Sequence, residues 1–172
     1  MRLRYSIAGG VAALILQCAV FGASSPVADA AMKGDKALVR SLLRQKADVN
    51  APQADGATAI QWAAYRADPE MTDLLIAAGA NVKLANRDGA TALFLASMNG
   101  SAAVIEKLLN AGADPNEREP FGETPIMFAA RAGSLDAMKI LIDHKANVNA
   151  KESVRGTTAL MWAAGNGHAA AV

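Results

Sequence analysis

The sequence predicts an all-α solenoid, a stack of helix–turn–helix units, and three observations carry that expectation. A six-residue segment recurs along the chain: Asp55-Gly56-Ala57-Thr58-Ala59-Ile60, Asp88-Gly89-Ala90-Thr91-Ala92-Leu93, Phe121-Gly122-Glu123-Thr124-Pro125-Ile126 and Arg155-Gly156-Thr157-Thr158-Ala159-Leu160. Its threonines lie 33, 33 and 34 residues apart, and self-similarity at one such period marks stacked supersecondary units rather than a single closed core. The composition agrees: 52% hydrophobic residues against 19% charged ones describes a folded chain, and 5% aromatic content with abundant alanine suits thin, closely approaching helix layers.

The first element is a leader. Arg2 and Arg4 precede an apolar run from Ile7 to Phe21, and Ala28-Asp29-Ala30 offers small residues of the kind a signal peptidase reads. The run contains Gly9, Gly10 and Gln17 and falls short of the roughly 20 apolar residues of a spanning helix, so a cleaved signal over residues 1–25 is expected rather than an anchor. The cut lies near Ala23 or Ser25, or as late as Ala30. Gln17 before Cys18 argues against lipidation, and without the leader the chain has no cysteine to oxidise in an extracytoplasmic, periplasmic or secreted location. A cut after residue 30 removes Arg2 and Arg4 from the 17 basic residues and Asp29 from the 16 acidic ones, which leaves a formally neutral chain with no strong field toward nucleic acid or lipid.

Residues 26–172 form the repeat domain, about four and a half units at 26–54, 55–87, 88–120, 121–154 and 155–172. The first unit lacks the leading turn; its first helix starts near Val27, and Lys46 stands where later units have glycine, as befits a terminal repeat. In the second, Gly56 breaks the chain, Thr58 caps an alanine-rich helix through Arg66, and Asp68-Pro69-Glu70 opens a second helix with a good N-cap, a tolerated proline and a carboxylate at the positive end of the helix dipole. Met71, Leu74, Leu75 and Ala78 follow at helical spacing, and Gly79 closes the helix in a left-handed conformation. Ser101 and Ser134 take the N-cap place of Asp68 in the third and fourth units. Lys145 replaces the closing glycine of the fourth, at a cost of about 1 kcal/mol. The fifth unit restarts at Thr158 and reaches His168 and Val172 without room for a second helix, so a longer protein is expected.

These motifs resemble the ankyrin repeat family over about residues 27–172: Gly122-Glu123-Thr124-Pro125-Ile126, the pair Ala129-Ala130, Gly133, Leu141-Ile142 and Ala146-Asn147-Val148-Asn149 follow its pattern. The proline after the threonine survives only as Pro125, and the histidine usual two places later is Gln61, Phe94, Met127 or Met161, which is expected to weaken the polar network between neighbouring turns. The resemblance implies a protein-interaction module, whose concave face of turn tips and first helices takes in Gln53, Ala54, Tyr65, Arg66, Arg87, Met98, Asn99, Glu119, Phe121, Glu123, Arg131, Arg155 and Asn166. Tyr65, Arg66, Phe121 and Arg131 are of the types that dominate interface energetics.

No catalytic, cofactor or metal residues are expected. His144 and His168 lie on different units without cysteine or paired carboxylates at ligand spacing, the repeat threonines have capping roles, and the glycines fall at repeat spacing rather than in a phosphate loop. Trp62 and Trp162 share one repeat position with Leu95 and Phe128 and read as inter-repeat core rather than as stacking platforms. The expected function is non-catalytic binding of a protein partner by a monomer. Two alternatives stay open: a regulatory array of a larger enzyme, or an inhibitor or immunity protein for an exported enzyme.

Overall fold

A computed structural model of the chain describes residues 25–172; the signal segment expected over residues 1–25 falls, but for Ser25, outside them. Among the described residues the structure has nine α-helices, one short 3-10 turn and no strand. The first helices of the units are Pro26–Lys33 (α1), Ala59–Tyr65 (α3), Ala92–Met98 (α5), Pro125–Arg131 (α7) and Ala159–Gly165 (α9). The second helices are Lys36–Arg44 (α2), Pro69–Ala77 (α4), Ala102–Asn110 (α6) and Leu135–Asp143 (α8). In the fifth unit a 3-10 turn, Ala169–Ala171, stands in place of a second helix.

Helices of seven to nine residues are too short to persist alone in water, so packing must hold them. Each first helix stacks on the next, α1 on α3 through to α9, and α1, α3, α5 and α7 each pack against the second helix of their own unit. One alanine per unit lies in the interior of this stack, Ala30, Ala63, Ala96, Ala129 and Ala163, none more than 1% exposed. Around it Ile60, Leu93 and Ile126 fill one period-related position, and Leu75, Leu108 and Leu141 fill the equivalent place in the second layer, all of them buried. In α9 their counterpart Leu160 is 51% exposed, and Met161, in the place of buried Met127, is 56% exposed. At the other end α2 buries only Val39 and stands off from α4, leaving a cleft of about 440 Å³ lined by Arg40, Leu43, Arg44, Leu74, Ala77 and Ala78.

Capping follows the sequence in part. Asp68 accepts from the Met71 N–H at 3.0 Å, Thr91 from Phe94 at 3.1 Å, and Ser134 and Thr158 make longer versions of the same bond. Ser101 and Thr124 occupy N-cap positions without a side-chain cap, because their backbone carbonyls take the Val104 and Met127 N–H groups instead. Thr58 differs again: its N–H donates to Gln61 Oε1 at 2.7 Å, the reverse half of a capping box. Gly79 and Gly112 are left-handed as expected, and so are Lys46 and Lys145, at φ of 60° and 71°. Ala67, at φ 50°, joins them; it stands where Gly34, Gly100 and Gly133 make the same turn.

Candidate interaction face

Between the units the chain projects four tight loops, 53–57, 86–90, 119–123 and 152–157, each closed by backbone bonds such as Gln53 N–H to Ala57 O at 2.8 Å and Glu119 N–H to Glu123 O at 3.0 Å. Neighbouring tips are tied where Arg87 N–H reaches Asp55 O at 2.9 Å and Ser153 N–H reaches Phe121 O at 2.7 Å. The period places Pro120 at the intermediate rung, and proline has no N–H to give. There the Pro120 ring packs close to Gly89, where an added Cβ would stand 3.3 Å from the ring.

Polar side chains complete the stitching. Gln61, 2% exposed, donates through Nε2 to the carbonyls of Ala90 at 2.6 Å and Leu84 at 3.1 Å. The expected loss of the inter-turn polar network therefore does not occur at the second unit, where a carboxamide reaches the next turn. Glu117 reaches back from the third unit's exit loop to accept from the Thr91 hydroxyl. Burial pushes its carboxyl up to about 7, with the Asp114 charge adding to the shift; burial and the charges of Glu117 and Glu123 take Glu119 to about 7 as well. Glu152 is the opposite case. It is 6% exposed and collects the N–H groups of Thr157, Val154 and Arg155 at 2.8, 2.6 and 2.9 Å, and these hold its carboxyl down at about 2. The 34-residue spacing before Thr158 inserts one residue in this loop, and the Glu152 carboxylate fills it.

The residues expected to meet a partner are distributed as follows. Glu123, Arg131, Arg155 and Asn166 line one groove of about 480 Å³, together with Glu152, Met161 and Trp162. Arg131 lies over two rings there, its guanidinium carbon 4.8 Å from the Phe128 centroid and 5.5 Å from that of Trp162, a cation–π arrangement. Phe121 is 62% exposed at its loop tip and Arg87 is exposed at the tip before. Tyr65 is 53% exposed, while Met98, at the same repeat position, is half-buried.

Two of these residues also serve the stack, Arg66 Nη1 donating to Met32 O at 3.3 Å and Asn99 Nδ2 to Tyr65 O at 2.7 Å in the preceding unit, whereas Asn166 Nδ2 reaches only Trp162 O of its own unit at 2.8 Å; each satisfies a carbonyl in the last turn of a first helix. His168 does the same for Arg131 O at 2.9 Å, so its Nε2 carries the proton. Trp62 and Trp162 pack on the core with one part of the ring only, both half-buried, and both line recesses of this face. Their indole N–H groups are held by Gln53 Oε1 at 2.6 Å and Thr157 Oγ1 at 2.8 Å. An apolar position shared with Leu95 and Phe128 gave no sign of this, and the two partners stand at different spacings, nine places before Trp62 and five before Trp162.

Among the described residues no group of three or more histidine, cysteine, aspartate or glutamate side chains is placed to hold a metal ion, and no helix is long and apolar enough to cross a membrane. A search of curated proteins finds no match. The family model described as ankyrin repeats (3 copies) matches residues 27–119 and again 104–172, from the start of α1 to the end of the chain.

Proposed function

The chain belongs to the ankyrin repeat family, whose repeats are as a class protein-interaction modules, and on that premise we propose that it is a non-catalytic, monomeric binder that holds a protein partner on the concave face formed by the loop tips and first helices. The observation that carries this reading is the groove between the fourth and fifth units. Glu123, Arg131, Arg155 and Asn166 converge on it beside Trp162 and exposed Val154, so charge of both signs surrounds apolar and aromatic surface, the make-up of an interface centre with a polar rim.

The partner is met outside the cytoplasm in this reading. Proline 26 opens α1, and Val27, Ala28 and Ala30 are buried; a signal cut near Ser25 keeps that helix whole, whereas one after Ala30 takes away most of it. N-terminal sequencing of protein recovered from the envelope or medium is expected to read from close to Ser25. Recovery from the cytosol with Met1 intact contradicts export.

The binding reading is tested by affinity capture with the mature protein from its native extracytoplasmic fraction, followed by measurement with the identified partner. Tyr65→Ala, Phe121→Ala and Arg131→Ala together are expected to weaken binding at least tenfold while helix content is kept. Unchanged binding contradicts the face named here.

A further inference from the structure

The face has two recesses walled by aromatic rings, and the repeat relates them. In the groove of the fourth and fifth units Phe128 and Trp162 are covered by a cation from the chain itself, Arg131. Two units earlier the period replaces Phe128 with Trp62 and Arg131 with Tyr65. A recess of about 210 Å³ opens there, lined by Trp62, Tyr65, Asp55, Asn86, Gln61 and Leu95 among others, with a carboxylate and no basic side chain in the lining. Arg66, which follows Tyr65 at the C-cap of α3, is turned away onto Met32 O at 3.3 Å, toward the first unit.

The two rings meet at 89° with centroids 5.9 Å apart. An edge-to-face pair leaves the faces of the edge-presenting ring uncovered by its partner, and the negative ring face attracts a cation. The corner is fixed before any ligand arrives. Trp62 Nε1 is held by Gln53 at 2.6 Å, Gln53 Nε2 donates to Asp29 at 2.6 Å, and the Tyr65 carbonyl is held by Asn99 at 2.7 Å. Asp55 spends one oxygen on the Ala57 N–H at 2.9 Å, which aligns its carboxylate at the mouth.

We propose that this recess binds a cationic side chain, arginine or lysine, presented by the protein partner, which lies against Trp62 and Tyr65 beside Asp55 much as Arg131 lies against Phe128 and Trp162 two units later. The proposal rests on the reading of this face as the interaction surface and names the chemistry one part of it selects.

Trp162→Phe, a change the chain already accommodates as Phe128, makes Trp62 the sole tryptophan reporter. N-acetyl-arginine amide and N-acetyl-lysine amide are titrated against it, with the norleucine and glutamine amides as uncharged counterparts. Saturable change in Trp62 emission is expected with the two cations, at least about fivefold tighter than with norleucine, the scale of one cation–π contact. Asp55→Asn retains an oxygen for the Ala57 N–H two residues on, as Asn86 accepts from the Asp88 N–H at 3.0 Å, so the turn survives; it is expected to weaken the cations about fivefold and leave norleucine unchanged. Equal response to norleucine, no saturable response to either cation, or indifference to Asp55→Asn overturns the proposal. If the amides fail while Tyr65→Ala with Phe121→Ala and Arg131→Ala still abolishes partner binding, the face stands and only the cation falls; the converse result leaves a cation site and removes the face.

Discussion

At the scale of single residues the repeat supplies its own controls. Ser97 is fully buried with its hydroxyl unbonded among the described residues, at a position where Ala31, Ala64, Ala130 and Ala164 stand in the other units. An unsatisfied buried hydroxyl costs about 1–3 kcal/mol, so Ser97→Ala is expected to raise stability by about 1 kcal/mol, read as a higher urea midpoint at unchanged slope. Lys145→Gly is expected to gain a similar amount, since glycine alone adopts a φ of 71° without a Cβ clash. A lower midpoint for either variant contradicts the assignment. The lysine conformation was legible in the sequence from the glycines one and two periods before it. The idle hydroxyl of Thr124 was not, because an N-cap residue is recognised by its type while the bond depends on whether its own carbonyl takes the N–H first.

Among the elements, the loop at 117–123 is the one the pH should move. The folded carboxyls of Glu117 and Glu119 titrate at about 7 against an ordinary 4.5. Between those values the folded protein keeps protons that the unfolded chain has released, so stability falls as pH rises from about 4.5 to 7. Glu152, at about 2, works in the other sense: its contribution is complete above 4.5 and is lost as pH drops toward 2. Maximum stability is therefore expected near pH 5, and the urea midpoint at pH 8 is expected to lie below it. Glu117→Gln, which still accepts from Thr91, is expected to narrow the difference between pH 5 and pH 8 by about 1 kcal/mol, a discounted share of the 1.36 kcal/mol per unit shift. An unaltered difference contradicts the role given to Glu117. The same loop lacks its backbone rung at Pro120. In hydrogen exchange the amides of Arg87 and Ser153, which donate the two rungs that are made, are expected to be protected more than those of Asp55 and Phe121, which donate to no group among the described residues; equal rates would contradict the ladder.

For the molecule as a whole, stacking and order of units were legible in the sequence because each depends on short-range periodicity: turn glycines, N-caps and apolar spacing repeat whether or not neighbours are seen. The exposure of the tryptophans and the internal duties of Arg66 and Asn99 were not, since both depend on which carbonyl of the preceding unit lies within reach. Those residues show that one surface stabilises the stack and is offered to solvent at once, so variants for binding studies are better taken at Tyr65, Phe121 and Arg131 than at the stitched positions. The most direct measurement is hydrogen exchange followed by mass spectrometry on the mature protein with and without its captured partner. The expected result is slowed exchange in the loops at 53–57, 119–123 and 152–157 and in the ends of α3 and α7, with α4, α6 and α8 unchanged. Protection confined to those second helices, or absent from the loop tips, would contradict binding through this face.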